Sequence, residues 1–380
     1  MNKAPEFGTY PEAQNKPVYS RWWISGVVLL GAGKLAWDYG TSGDPSAGYM
    51  LIPAVVAVSL LWLLIFLLRM FFYHLSVHNK RTFDERVGEI KHAWWNTHRQ
   101  TVALRDAVLL GPSCSTPEQR QQLLNPGHPP PAPTATPEGP AIRLLQVFGD
   151  DVTARERGLA TLLALQWDQQ RTPGPVLQPL CCYWQGSLPA WQAFVEQMAA
   201  CCPELQLPDT PESWQGLGSL EAIIDRLQGA PSNIRILCAG CHSSPVRPAT
   251  HLPPGEAAVL WWIAPQEGVR LSRGEWFAAR HEKLPEVAER ALQQGEQTAA
   301  TSVCVSFSQA EMPDLSGIGW NTQQHRQDAH FGALADLEAM VALTLAAWYA
   351  EQQGEPCAWL ASDPHYTLAL GVVQPNVSVY

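Results

Sequence analysis

Positive charge is in short supply. The 380-residue chain carries 25 Lys and Arg against 35 Asp and Glu, for a formal net charge of −10. That balance excludes a nucleic-acid binder that relies on a basic surface. A disulfide framework is missing too. The nine cysteines are odd in number and irregularly spaced, and Cys181-Cys182 and Cys201-Cys202 are adjacent pairs. Neighbouring cysteines rarely bond one another, so a reducing compartment is the simpler reading. The 16 tryptophans form no repeat. No Walker P-loop appears, and Gly216-Leu217-Gly218 lacks the third glycine and the leading strand of a dinucleotide fingerprint. No cofactor is expected.

Charge is absent altogether between Tyr49 and Leu68, inside the stretch GYMLIPAVVAVSLLWLLIFLLRMFFY that runs from Gly48 to Tyr73. Twenty helical residues rise about 30 Å, the thickness of a bilayer's hydrocarbon core. The polar stripe of a soluble core helix is also lacking. A shorter apolar run, Trp22 to Trp37, is interrupted by Lys34, whose stem can snorkel to the interface. Trp22, Trp23 and Trp37 flank it as interfacial anchors, and Tyr49, Trp62, Arg69 and Tyr73 are the membrane residues of the longer run. A cleaved signal peptide fits less well, because polar residues precede the run and no small-x-small site follows closely. The expectation is a cytosolic tail over residues 1–20 and a transmembrane hairpin over 21–74, with spans at about 22–38 and 49–70. The connecting loop has no Lys or Arg, whereas Lys3, Lys16 and Arg21 precede the first span and Arg69, Lys80, Arg81, Arg86 and Lys91 follow the second. The positive-inside rule then puts both termini in the cytoplasm, at a bacterial inner membrane.

Residues 75–100 place Phe83, Val87, Ile90 and Trp94 at helical spacing, which predicts a juxtamembrane helix continuing out of the bilayer. Residues 101–110 read as a strand, and the proline-rich stretch 111–140 as a spacer or surface loop rather than a packed element. From Ala141 strands and helices alternate. Strands are expected at 141–149, 176–186, 233–240, 255–265, 301–309, 357–363 and 366–375. Helices are expected at 154–170, 188–202, 213–228, 285–295 and 334–353. This rhythm predicts one α/β domain with a mixed sheet over 101–380.

Two stretches carry a family resemblance. Pro254-Gly255-Glu256-Ala257-Ala258 opens a strand, and Gly332-Ala333-Leu334-Ala335-Asp336-Leu337-Glu338-Ala339 opens a helix. Both are similar to the corresponding turns of thiolase-fold β-ketoacyl synthases, and the final strands resemble that family's ending. The resemblance spans residues 216–375 and implies a thiolase-like fold. It also implies a Cys nucleophile at a helix N-terminus, where the helix dipole lowers a thiol pKa. At the start of 213–228 this chain offers Ser213, Trp214 and Gln215 instead. The family's His-Gly-Thr turn has no counterpart in 305–314, and His330 stands two residues before Gly332 rather than three.

Other patterns compete. Cys238-Ala239-Gly240-Cys241-His242 matches the c-type haem signature, but haem attachment of that kind happens outside the cytoplasm. Zinc would need a second ligand pair, and only His251 is near. His325, Asp328 and His330 read as solvated residues of an exposed loop, and Ser362, Asp363 and His365 lie too close together in sequence for a triad. The resulting expectation is a catalytically inactive thiolase-like domain on a membrane anchor, working as a protein-binding adapter. The architecture resembles adapter proteins of type VI secretion systems, with a secretion-apparatus subunit or an effector as partner. The alternative is a membrane-bound acyl transferase of the thiolase superfamily, using Cys238 or Cys241 with His330.

Overall fold

A computed structural model describes residues 5–11, 15–41, 47–125, 127–136, 139–171, 176–246, 252–299, 301–307 and 315–376. The chain divides into two units, one of residues 3–95 and one built on residues 96–380.

The first unit is a pair of helices, α1 (Tyr19–Thr41) and α2 (Ala47–His98). Small residues on α1 let the two approach: a Cβ at Gly26 would lie 3.1 Å from the Trp62 ring, and one at Gly33 would lie 3.1 Å from Val55. Trp22 packs on Phe66 with ring centroids 5.3 Å apart, and Trp62 Nε1 donates to Ser25 Oγ at 3.2 Å. Leu60, Leu61, Leu64 and Phe71 face outward. One helix, Ile52–His98, is long and apolar enough to cross a membrane. The run at 22–38 is helical, and Tyr49 falls in the first turn of α2. Residues 75–98 continue α2 without a break, as the helical spacing beyond the apolar run predicts. Arg81–Glu85 and Arg86–Glu89 pairs at helical spacing suit that polar stretch to solvent.

The second unit contains β1 (Val102–Leu110), α3 (Pro117–Gln122), β2 (Thr134–Thr136), β3 (Gly139–Ala141), α4 (Val152–Gln170), β4 (Cys182–Gln185) and α5 (Leu188–Cys201). It continues with β5 (Glu212–Ser213), α6 (Leu217–Leu227), β6 (Ile236–Ser243), β7 (Glu256–Ala264), β8 (Val269–Leu271), β9 (Glu275–Phe277) and α7 (Leu284–Gln294). It closes with β10 (Cys304–Ser306), β11 (His325–Arg326), α8 (Asp328–Phe331), α9 (Glu338–Gln353), β12 (Cys357–Ala361) and β13 (Leu368–Gln374). One mixed sheet runs in the order β11-β10-β12-β13-β8-β1-β7-β6-β4-β5, with β9 also paired to β13. β4 pairs in parallel with β5 and β6, and β10 in parallel with β11 and β12, while the centre is antiparallel. The mixed α/β architecture read from the alternation is therefore present.

Alternation along each strand sorts the core into layers. Leu109, Val259 and Cys238 pack with α6 and α9 on one face. Val108, Leu260 and Cys241 pack with α4 and α5 on the other, where α7 covers the β12–β13 end. α9 is buried on nearly all sides, and its Ala residues let the sheet approach closely.

Three expectations fail for local reasons. Residues 142–149 form no strand. Leu144 N–H donates to the Glu256 carboxylate, and the Arg143 guanidinium reaches Ser243, Ser244 and Glu256, so a buried carboxylate replaces the ladder. The proline-rich stretch is not a plain spacer: Thr116 and Gln119 form a capping box that starts α3, and β2 pairs with β3 as a ribbon. The helix expected from 213 starts at Leu217, because residues 212–213 add to the sheet edge beside β4.

Candidate functional site

β1 ends at Leu110, and Gly111-Pro112-Ser113-Cys114 turns the chain, closed by Cys114 N donating to Gly111 O at 3.1 Å. α8 is brought against that turn from the far end of the sequence. Gln327 N donates to Ser306 O at 2.9 Å, and Gly332 ends α8 with φ 70°. Gly332 then crosses Gly255, where Ala333 N donates to Pro253 O at 3.0 Å. A Cβ at Gly255 would overlap the Phe331 carbonyl oxygen, so the crossing requires glycine.

The consequence is a contact between side chains 217 positions apart in sequence: Ser113 Oγ lies 3.2 Å from His330 Nδ1, and both residues are buried. The His128 ring stacks on His330 with centroids 5.6 Å apart and planes 15° apart. Burial, with a smaller contribution from the His128 charge, lowers the His330 pKa below the ordinary imidazole value. His330 is therefore neutral at pH 7, and its Nδ1 can accept the Ser113 hydroxyl proton. A hydroxyl in hydrogen-bond reach of a neutral imidazole is the elementary nucleophile–base pair.

The direction of that shift sets a pH profile. A base with a lowered pKa keeps its accepting form as pH falls through 6.5 and loses it only below. Acylation of Ser113 by a reactive ester is expected to hold its rate at pH 6.5 and fall in more acidic buffer. His128→Phe removes the neighbouring positive charge and should move the midpoint upward. Stopped-time intact-mass measurements from about pH 5 to about pH 8, a range that brackets the ordinary imidazole value, check both.

Cys238 and Cys241 are not brought to His330. Both lie on β6, three residues apart, and so face opposite sides of the sheet: Cys238 packs with the α6–α9 layer and Cys241 with the α4–α5 layer. Cys241 Sγ donates to the Glu156 carbonyl at 3.5 Å. Burial pushes both thiols well above their ordinary pKa. Opposite faces also prevent the two sulfurs from holding one haem or metal, and His242 bonds to Ser244 Oγ at 2.9 Å. His251 lies outside the described residues. Iodoacetamide is expected to leave Cys238 and Cys241 unmodified in the folded protein and to alkylate both after denaturation, as peptide mapping would show.

The N-terminus of α6 holds no thiol. Gly216 caps it at φ 58°, and Asp363 Oδ2 accepts from Leu217 N at 3.2 Å in the space a Cβ would fill. The carboxylate occupies the positive end of the helix dipole itself. His365 Nε2 bonds to Gln215 Oε1 at 2.7 Å and Ser362 Oγ donates to Glu338 Oε2 at 2.5 Å, so Ser362, Asp363 and His365 each have separate partners. The exposed loop expected around His325, Asp328 and His330 is instead β11 and α8, and all three are buried. Parallel pairing of β11 with β10 draws them in. Among the described residues no three His, Cys, Asp or Glu side chains are placed to hold a metal ion.

Sequence reasoning missed Ser113 because its search was for cysteine at one helix. The Pro112-Ser113-Cys114 turn after a strand was the available signal.

No protein-family model matches the chain, and no curated protein matches its sequence. Solved structures do resemble it. The ishigamide ketosynthase/chain length factor aligns over 72% of this chain and 99% of its own at 14% identity, with a TM-score of 0.48. The acyltransferase ChlB3 aligns over 72% and 98% at 16% identity, with a TM-score of 0.47. The 3-oxoacyl-(acyl carrier protein) synthase III of Xanthomonas oryzae pv. oryzae aligns over 72% and 99% at 10% identity, with a TM-score of 0.40. At these scores the architecture stands on the chain's own strand order. The expectation of a catalytically inactive adapter for a secretion subunit or effector is corrected here. The similar structures carry the titles of acyl-group enzymes, and the fold itself brings the Ser113 hydroxyl within 3.2 Å of the His330 imidazole.

Proposed function

We propose that this chain is a membrane-bound acyl transferase of the thiolase superfamily, with Ser113 as nucleophile and His330 as base. The Ser113 Oγ–His330 Nδ1 contact of 3.2 Å carries the reading. Hydroxyl–imidazole pairs act on carbonyl electrophiles. Ser113 Oγ attacks the acyl carbonyl of an activated ester or thioester as its proton passes to His330 Nδ1. The imidazolium returns that proton to the departing alkoxide or thiolate. An acceptor hydroxyl or amine, losing its proton to His330, then attacks the acyl carbonyl; the bond to Ser113 Oγ breaks, and the imidazolium returns the proton to that oxygen. The resemblance of residues 254–258 and 332–339 to β-ketoacyl synthases supports the acyl class. The cysteine version of this reading meets two sealed thiols.

The anchor belongs to the same proposal. α2 crosses the bilayer, α1 crosses it as a second span, and both termini lie in the cytoplasm of a bacterial inner membrane. The Lys and Arg distribution on either side of residues 38–48 supports that orientation. The deciding experiment is intact-mass analysis of the detergent-solubilised full chain after exposure to a p-nitrophenyl acyl ester. One acyl adduct mapping to Ser113 is the expected result. A chain that stays unmodified, or an adduct at a cysteine, overturns the assignment.

A further inference from the structure

A polar cavity lies at the end of β1 opposite the Ser113 turn. It encloses about 420 Å³ and is lined by Arg99, Gln100, Gln228, Gln266, Arg270 and Asn376 among others. A volume of that size falls in the range of small-molecule sites. Ala103 pairs with Arg270 at this end of the strand, whereas Leu110 leads into the Ser113 turn. Seven strand steps separate the two positions by about 24 Å.

The charge at this cavity is unbalanced. Val269 and Leu271 are buried on β8, so alternation turns Arg270 between them toward the other side. Arg270 Nε is buried and has no hydrogen-bond partner, and no carboxylate pairs with Arg270 among the described residues. Glu267, the acid in the lining, is already matched by Arg105 at 3.0 Å. A positive pocket of this kind stands out in a chain with a net charge of −10. A desolvated guanidinium N–H without an acceptor is destabilising, and an acceptor anion relieves that penalty.

We propose that this cavity is a binding site for an organic phosphate, with the Arg270 guanidinium on the phosphate oxygens. The planar fork of Arg matches a phosphate through two parallel hydrogen bonds. The amides of Gln100, Gln228, Gln266 and Asn376 suit hydroxyl or carbonyl groups of the body that carries the phosphate. A soluble phosphate ester and a phospholipid headgroup share this chemistry. The site is independent of Ser113.

Isothermal titration of the full chain in a neutral maltoside detergent tests it, with inorganic pyrophosphate in one arm and dihexanoylphosphatidylglycerol in the other. Saturable binding in either arm is expected, at one site, weakened at least about tenfold by Arg270→Gln. Binding in the pyrophosphate arm identifies a soluble ester, and binding in the lipid arm alone identifies a headgroup. Arg270→Lys should weaken it less, since the charge stays and the fork is lost. It also serves if the Gln variant unfolds early. Ser113→Ala should bind as tightly as the parent chain, whatever becomes of the acylation chemistry. Absence of saturable binding in both arms, or unchanged binding by both Arg270 variants, overturns the site.

Discussion

Replacing Ser113 with Ala is expected to abolish acyl-enzyme formation and to lower acyl transfer on the order of 10⁴-fold, with the fold intact. In the proposed mechanism the oxygen removed is the attacking atom, so no binding term can restore the rate. His330→Ala should cost nearly as much, and the double variant little more than either single one, because nucleophile and base act as a unit. Stability should change little: Ser113 and Ala have similar volume, and the Oγ–Nδ1 contact is one neutral hydrogen bond, worth about 1 kcal/mol. Intact-mass kinetics with the p-nitrophenyl ester, run beside thermal unfolding, separate the two effects. Ser113→Cys is the informative companion, since it keeps a nucleophile at the same atom position and should retain measurable labelling. Cys238→Ser and Cys241→Ser should leave labelling untouched.

Glu256→Ala is expected to destabilise the second unit by about 3–5 kcal/mol, the cost of leaving buried partner charges uncompensated. The Glu256 side chain is 0% exposed. It lies 2.7 Å from Arg155 Nη2 and 3.3 Å from Arg143 Nη1, and it accepts from Ser243 Oγ and Leu144 N. Truncation takes the counter-charge from two guanidinium groups and the acceptor from a backbone N–H together. A midpoint drop of about 10 °C in thermal unfolding is the corresponding signal. Arg105→Ala offers the contrast: its partner Glu267 is 69% exposed, and exposed pairs contribute about 0–1 kcal/mol. Glu256 also adjoins Gly255 at the crossing that sets His330, so Glu256→Ala should slow Ser113 acylation as well as unfold early. A variant as stable as the parent chain would mean that residues 142–149 are held by something other than this carboxylate.

The elements most legible in the sequence were those with strong periodicity. β7 reads directly from an unbroken apolar run, because both faces of that strand are covered. α4, α5 and α7 lie within two residues of the expected helices. Short strands were the ones missed. β8, β9 and β11 have two or three residues each, too few for any period, and exist because neighbouring strands offer backbone partners. Residues 141–149 mislead for the opposite reason. Their apolar content resembles a strand, yet Leu145 and Phe148 are 78% and 83% exposed while Arg143 turns inward to Glu256.

By itself the sequence determined an acidic chain with a long apolar helix, followed by an α/β region of alternating strands and helices. Composition and short-range spacing carry that information, since hydrophobic burial and backbone hydrogen bonding act on local patterns. Only the tertiary structure decided which side chains meet. Ser113 and His330 are joined because the turn after β1 packs at Gly111 on Phe331 of α8, and α8 is followed by the Gly255–Gly332 crossing, a contact between backbones that no residue spacing announces. It likewise decided that Cys238 and Cys241 cannot act together. Their three-residue spacing suits a shared ligand on a turn or helix, but a strand's period of two sends the thiols to opposite faces of the sheet.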